Sequence, residues 1–377
     1  MRIERLSALC FRNLAELRIE PHPRFTILEG DNGQGKTNLL EAIAVLATLR
    51  SFRTAKLGDC VAFAEEKAQI GCRVYGRGAH LDLGVEIAGN RSRVFVDGKA
   101  VRRSSEALGA LAAVIFTSAD LLLPHGEPAA RRRWLDRAIF QHNAGYLGEL
   151  RRYDKAVASR NALLRDSDQP GFDLRALDAY DALLAEAGAR VSATRDDFCA
   201  QLSRRVAEEF AAFAAPGLAA ELRYEAHDPG ITTGSPAAER QQALLRRLGE
   251  RRRLDLRRGT TSVGPHRDDV AMLLDGRLAR DHASQGQSRA LVLAAKIAEI
   301  RSLEAALGEP PLLLMDDVSS ELDRARNAAL MHHLDAFGGQ VFLTTTDASY
   351  IQLTAPRGVW RVSAGRLAPS LDLTRAG

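Results

Sequence analysis

The sequence predicts an α/β fold interrupted by a second, mostly helical lobe, and three observations carry that prediction. An apolar run over residues 24–29 ends in Gly30-Asp31-Asn32-Gly33-Gln34-Gly35-Lys36-Thr37, which opens a helix over 36–49. A second apolar run, Leu312-Leu313-Leu314-Met315, ends in Asp316-Asp317. Between them, residues 125–258 are rich in Ala, Leu, Arg and Glu at helical spacing. Residues 1–124 and 259–377 are therefore expected to form one domain in two pieces, with 125–258 inserted. The chain length of 377 residues fits two or three domains.

The N-terminal piece begins with strands over 3–11 and 14–19, joined by a turn at Arg12-Asn13. In the helix over 36–49, Leu39, Leu40, Ile43 and Leu46 recur at helical spacing. Antiparallel strands are expected over 68–101: Leu81, Leu83, Val85 and Ile87 alternate, and Asp97-Gly98 marks a hairpin. The insertion reads as helices over 128–166, 174–214 and 236–257, with a strand over 218–226. The final piece reads as helix 287–307, strand 312–315, helix 321–337 and strand 340–345. The segment 174–214 is too short to be the arm of a large coiled coil.

Hydrophobic residues at 46% and charged residues at 27% exclude a fibrous or wholly disordered chain. The formal charge of +4 permits an anionic partner. Of 52 basic residues, 46 are arginine, which reflects either GC-rich coding or many phosphate contacts. Cys10, Cys60, Cys72 and Cys199 are scattered, so neither a disulfide framework nor a zinc site is expected, and a reducing cytoplasm fits. No signal-peptide core opens the chain and no run reaches about 18 apolar residues, so no membrane partner is expected. Protease or esterase chemistry has no support: there is no nucleophile elbow and no H-E-x-x-H.

The segment 30–37 matches G-x-x-x-x-G-K-[ST] between a strand and a helix, the context in which this pattern holds phosphates. Glycines let backbone N–H groups curl around an anion, and the helix N-terminus adds positive potential. Gly30, Asp31, Asn32, Gly33, Gln34, Gly35, Lys36, Thr37 and Asn38 are the expected ATP-binding residues. Lys36 should reach the β- and γ-phosphates, and the Thr37 hydroxyl should ligate Mg²⁺. Asp316, 280 residues beyond Lys36, is the second expected Mg²⁺ residue; Asp317 sits where a base could orient the attacking water.

Ser284-Gln285-Gly286-Gln287-Ser288-Arg289 resembles the signature motif of ATP-binding-cassette proteins, with Ala283 and Gln285 departing from the usual pattern. The segment from Ser320 to Asp323 resembles their D-loop, and Thr346 stands where they often carry a switch histidine. The resemblance implies that Ser284, Gly286 and Gln287 cap a nucleotide held by a second copy, so that ATP glues a homodimer. Membrane-transporter subunits share these motifs but place the signature much nearer the phosphate loop; here 248 residues separate Lys36 from Ser284. A scaffold that merely holds ATP is disfavoured by the intact Lys36, Thr37, Asp316 and Asp317.

Three further blocks are more specific: Phe11-Arg12-Asn13-Leu14, the stretch 118–136 containing Gly126-Glu127-Pro128-Ala129-Ala130-Arg131-Arg132-Arg133-Trp134-Leu135-Asp136, and Thr261-Ser262-Val263-Gly264-Pro265-His266-Arg267-Asp268-Asp269. Through them the chain resembles the RecF family over essentially its full length. The resemblance implies an ABC-type ATPase head, related to SMC heads but without the long coiled coil. It also implies ATP-dependent binding of duplex DNA near gaps, RecO and RecR as partners in loading RecA, and slow hydrolysis. Asp317 in place of the transporters' glutamate fits slow turnover.

Weaker candidates remain open between two readings. Arg131 and Arg132 at a helix start are either DNA contacts or a solvated or ion-paired face, and Arg251, Arg252 and Arg253 within 246–258 are either DNA contacts or a solvated face; that last stretch carries seven arginines against two acids. Arg53 either approaches the nucleotide or is solvated, and His266 either meets a ligand or orders its loop.

Overall fold

The computed structural model describes residues 1–377 except 55, 90, 103–106, 108, 168–171, 173, 212–216, 319–320 and 371–377. The chain divides into two compact units, one formed by Met1–Leu122 with Val292–Gly377 and the other by Leu123–Leu291.

The first unit opens with β1 (Arg2–Phe11), β2 (Leu14–Ile19), β3 (Phe25–Glu29), α1 (Lys36–Thr48), β4 (Ala68–Gly76), β5 (Ala79–Ala88), β6 (Arg91–Val96), β7 (Lys99–Ala100) and β8 (Ala113–Thr117). The second holds α2 (Pro128–His142), α3 (Ala144–Arg165), α4 (Leu174–Phe210), β9 (Ala220–Glu225), α5 (Ala237–Arg258), β10 (Asp269–Leu274), β11 (Arg277–Leu278), α6 (Ala279–His282) and the start of α7 (Gln285–Leu307). The first unit is completed by β12 (Leu312–Asp316), α8 (Arg324–Ala336), β13 (Val341–Thr345), β14 (Arg357–Ser363) and β15 (Arg366–Pro369).

Two six-stranded sheets build the first unit. One has the order β2-β1-β4-β5-β6-β7; the other has the order β15-β14-β3-β13-β12-β8. Alternation decides the first: Ile3, Leu6, Ala8 and Phe11 of β1 are buried while Arg5, Ser7 and Leu9 face solvent. In the second sheet the strands β14, β3, β13, β12 and β8 run parallel, and β13 and β8 are buried at every residue. Helix α1 is buried all round from Leu39 to Thr48, with Glu41 the one charged side chain in that stretch. Its core cluster includes Phe11 of β1, Val85 of β5, Leu314 of β12 and Phe342 of β13, so it lies among strands of both sheets.

The second unit reaches Leu291 rather than stopping at 258, because β10 pairs antiparallel with β9 along its whole length. Residues beyond 258 thus complete a sheet begun inside the insertion. The expected helix over 128–166 is two helices: the Asn143 side chain accepts from the Gly145 amide at 3.0 Å and starts α3 afresh. Strands β8, β14 and β15 were not expected; Ala113-Val114-Ile115-Phe116-Thr117 is a short apolar run whose type periodicity does not decide. The four cysteines are free thiols, and among the described residues no helix is long and apolar enough to cross a membrane.

Charged ties hold the second unit's interior. Arg160, fully buried, donates to Asp181 at 2.6 Å, to Asp255 at 2.7 Å and to Thr261 at 3.0 Å. Arg195 takes Asp136 with two nitrogens, each at 2.8 Å, and also donates to the Pro265 carbonyl at 2.7 Å. Removing one partner of such a pair strands the other charge away from water. Arg160→Ala should therefore lower the unfolding free energy by about 3–5 kcal/mol. Urea unfolding followed by fluorescence of the buried Trp134, in a Trp360→Phe background, checks it.

Candidate nucleotide-binding site

Strand register brings distant residues to one edge of the parallel sheet. Asp316 of β12 pairs with Thr344 of β13, and Thr345 of β13 pairs with Glu29 of β3. The loop 30–35 leaves that edge directly after β3, and the Gly30 amide donates to the Thr345 carbonyl at 3.3 Å. The loop is clamped from two sides. Asn13, in the turn between β1 and β2, donates to the Gln34 carbonyl at 3.2 Å and accepts from Asn38 at 2.7 Å. On the other side, the β14–β15 turn donates Ala364 N–H to the Gln34 side chain at 2.7 Å and Gly365 N–H to its carbonyl at 2.8 Å. Gly35 caps α1 at φ +115°, and a Cβ there would lie 2.7 Å from Asn13 Oδ1, so both conformation and space demand glycine.

Inside this cradle the Lys36 side chain is nearly buried and donates to the carbonyls of Gly30 and Asp31, the latter at 2.9 Å. Thr37 Oγ1 donates to Asp316 Oδ1 at 2.8 Å. Thr344 Oγ1 donates to the same oxygen at 2.9 Å and accepts from the Asp317 amide at 2.9 Å. Burial pulls Lys36 below its ordinary value, and the charges of Asp317, Asp316 and Asp31 offset that in part. Burial raises the Asp316 carboxyl, against the pull of hydrogen bonds from Thr37 and Thr344. An anion beside Lys36 and a cation beside Asp316 would each relieve a buried charge. A hydroxyl and a carboxylate are hard oxygen donors suited to Mg²⁺, which takes the rest of its shell from water and substrate phosphates. Among the described residues no cluster of three or more His, Cys, Asp or Glu side chains forms a closed metal cage.

Behind the loop lies a residue that pattern reading missed. Glu41 of α1 is fully buried and takes Arg12 in a two-nitrogen grip at 2.7 and 3.0 Å. It also accepts from Ser51, and from Arg53 at 3.3 Å. Burial alone would push its carboxyl up, but the bonds from Arg12 and Ser51 and the charges of Arg12 and Arg53 bring it below the ordinary value. Arg53 further donates to Asn38 at 2.7 Å, joining this carboxylate to the first turn of α1. The signal available was the Phe11-Arg12-Asn13-Leu14 block, whose Arg12 and Asn13 now have partners. Thr344, inside an apolar strand, gave no such signal.

The other expected site residues are distributed as follows. Ser284 precedes α7 in the second unit, and its Oγ accepts from the Gln287 amide at 3.2 Å while Gln287 Oε1 accepts from the Ser284 amide at 2.8 Å, a reciprocal capping box. Gly286 is half-buried in the same first turn, and α7 begins two residues earlier than expected. Asp323 caps α8 by accepting from the Arg326 amide at 3.0 Å; Ser320 lies outside the described residues. Thr346 is exposed just past the end of β13.

Of the two readings for Arg131 and Arg132 the structure favours the paired one over DNA contact, and it turns both residues inward. Arg131 is buried and grips Asp269 through two bonds of 2.8 Å each, while also donating to the Leu123 carbonyl at 2.9 Å. Arg132 is half-buried and donates to the Asp268 carbonyl. Both bonds join the two sequence blocks around 131 and 266 within one unit. Arg252 is paired with Asp178 and with Asp181, the latter at 2.7 Å, whereas Arg251 and Arg253 are exposed. His266 orders its loop: its ring meets the Tyr153 hydroxyl and, at 3.1 Å, the Thr261 carbonyl. Burial pushes it down to about 4, so it is neutral.

A glycine cradle with a buried lysine, joined through a threonine hydroxyl to an aspartate pair at a parallel strand end, defines a P-loop nucleotide-binding head. Residues 2–364 match the RecF/RecN/SMC N-terminal domain family. The DNA replication and repair protein RecF of Myxococcus xanthus is 44% identical over 99% of this chain and 98% of its own length. That of Geobacter sulfurreducens is 38% identical over 98% of this chain and 100% of its own. A solved structure of the recombination mediator protein RecF-ATP of the RecFOR pathway superposes with a TM-score of 0.87 at 30% identity, covering 98% of this chain and 97% of that one. An Smc head domain from Pyrococcus furiosus shares the fold, with a TM-score of 0.54 at 15% identity over 98% of this chain and 95% of that one. The chain belongs to the RecF family of ABC-type, SMC-like ATPases.

The displaced lysine has a measurable consequence. Its depressed folded value means that the charged form costs folding stability below that value, and that the cost fades toward the ordinary 10.5. A bound triphosphate favours the ammonium, so nucleotide affinity should fall as pH rises through the lowered value. Titration with a fluorescent nucleotide between about pH 7 and pH 10 checks this, and Lys36→Arg should flatten the profile.

Proposed function

We propose that this chain is an ATP-dependent DNA-binding recombination mediator, acting in DNA replication and repair. In this reading two copies close around bound ATP, engage duplex DNA near single-strand gaps, and with RecO and RecR help load RecA; slow, DNA-dependent hydrolysis then resets them. The observation that carries the reading is the 2.8 Å bond between Thr37 and Asp316, which joins the two halves of a hydrolytic site across 279 positions. Its setting in a chain 30% identical to a RecF-ATP structure supports ATP as the nucleotide. Residues 1–122 and 292–377 would form the ATPase lobe in the cytoplasm, with the inserted unit as the second lobe.

The geometry of the phosphate loop supports the following roles there, and the resemblance of the segment 284–289 to a signature motif supports those toward a second copy. Loop amides from Gly30 to Gly35 and the Lys36 ammonium would bind the phosphates, with Asp31, Asn32 and Asn38 around them. Thr37 and Asp316 would hold Mg²⁺. That ion, when bound, supplies charge neutralisation on the phosphates. Asp317 would accept the proton of the attacking water and orient it. Ser284, Gly286 and Gln287 would face the nucleotide of the second copy, and Ser320 and Asp323 would serve as the D-loop.

Three measurements test the reading. ATP turnover measured on duplex, single-stranded and gapped DNA should rise with gapped DNA and vanish in Lys36→Ala; no phosphate release under any condition would leave a binding scaffold instead. Asp317→Asn should still bind ATP, and light scattering should show its mass doubling with ATP and Mg²⁺. Arg251→Ala with Arg253→Ala should weaken DNA binding and reduce the salt slope by about 0.9 for each phosphate that is no longer neutralised. An unchanged slope removes this helix from the DNA surface.

A further inference from the structure

We infer that Thr344 is a positioning residue for hydrolysis: one hydroxyl, belonging to neither nucleotide motif, fixes the metal-side aspartate and the water-side aspartate together. The inference rests on the ATPase reading above.

The observations are local. Thr344 is 1% exposed on β13, a strand otherwise made of Val341, Phe342, Leu343 and Thr345. A buried hydroxyl must find partners or lose stability. Its oxygen is used in both directions: it donates to Asp316 Oδ1 at 2.9 Å and accepts from the Asp317 amide at 2.9 Å. Direct pairing of Thr344 with Asp316 in the parallel ladder fixes where that hydroxyl stands.

Each bond does something different. Asp316 Oδ1 already accepts from Thr37, which lies in the phosphate cradle and would turn to the metal. Thr344 holds the carboxylate from the protein side, independently of what occupies the cradle. Asp317 has φ +51°, a left-handed conformation uncommon for a residue bearing a Cβ. The Thr344 hydroxyl ties down its amide, so the backbone turn that aims the Asp317 side chain is fixed by the adjacent strand. Supporting residues of this kind act by holding a reacting group within a fraction of an ångström of its productive place.

Thr344→Val keeps volume and branching but deletes both bonds. Turnover in ATP hydrolysis should fall about ten- to hundredfold, while KM and nucleotide affinity stay within about twofold, because Thr344 touches neither the loop amides nor Lys36 and Thr37 still bonds Asp316. Thr344→Ser should restore most of the rate. A readout free of nucleotide accompanies this: hydrogen exchange at the Asp317 amide should quicken in the valine variant and return to wild type in the serine variant. Thermal unfolding of both variants separates a local effect from a folding defect. The proposal is overturned if the valine variant keeps the wild-type rate, if affinity falls in step with the rate, if serine is as defective as valine, or if the Asp317 amide stays protected. A wild-type chain that binds ATP without turning it over would instead overturn the ATPase reading, and the proposal with it.

Discussion

Burial of opposite charges on the first residue of α1 and the last residue of β12 is the constraint on which the site depends. Lys36 is drawn toward neutrality from one side and Asp316 from the other, because desolvation disfavours the charged form of each. The two do not cancel by direct contact: Lys36 is held by loop carbonyls and Asp316 by two hydroxyls. The fold thus keeps a cation and an anion apart, each solvated by neutral groups. A ligand carrying both signs, a triphosphate with its divalent cation, answers both needs at once. That is a more specific requirement than a glycine-rich loop alone would impose.

Each unit carries its own arginine ties. Arg12 anchors the buried Glu41 behind the cradle; Arg131, Arg160 and Arg195 tie together the inserted unit. In each case a planar guanidinium makes several directed bonds, which lysine could not reproduce. The arginine-rich composition therefore has a third explanation beside coding bias and phosphate contact. That explanation covers only a small part of it: among the described residues Arg131, Arg160, Arg195 and Arg240 are buried, where their forks take the place of apolar packing.

How much could be read in advance follows from where each signal is local. The cradle, the Asp316-Asp317 strand end and the alternation of β5 were legible, because loop chemistry and period-2 burial are written in consecutive residues. Three things were not. The extent of the insertion depends on β9 meeting β10, a pairing set by tertiary structure. The short apolar run of β8 carries no periodicity to distinguish it. Arg131 and Arg132 looked like a charged helix start because nothing local reveals that Asp269 and the Asp268 carbonyl lie opposite them. A charge run shows its inward face only after the helix has a neighbour. In α5, Arg240 and Asp255 turn in while Arg251 and Arg253 turn out.

Ser284 and Gln287 carry a local structural role, and a ligand-facing role would use the same atoms. In the sequence, a helix cap and a signature motif stand as competing explanations. The structure makes the cap certain, since the two side chains satisfy each other's amides. Capping uses the acceptor capacity of the Ser284 hydroxyl, leaving its proton to donate, and it fixes the rotamer from which that donation would be made. It also aligns the first turn of α7, whose amides supply positive potential to an approaching anion. A capped helix start is what a phosphate-facing element would need, because the entropy of ordering the turn is spent on folding rather than on binding.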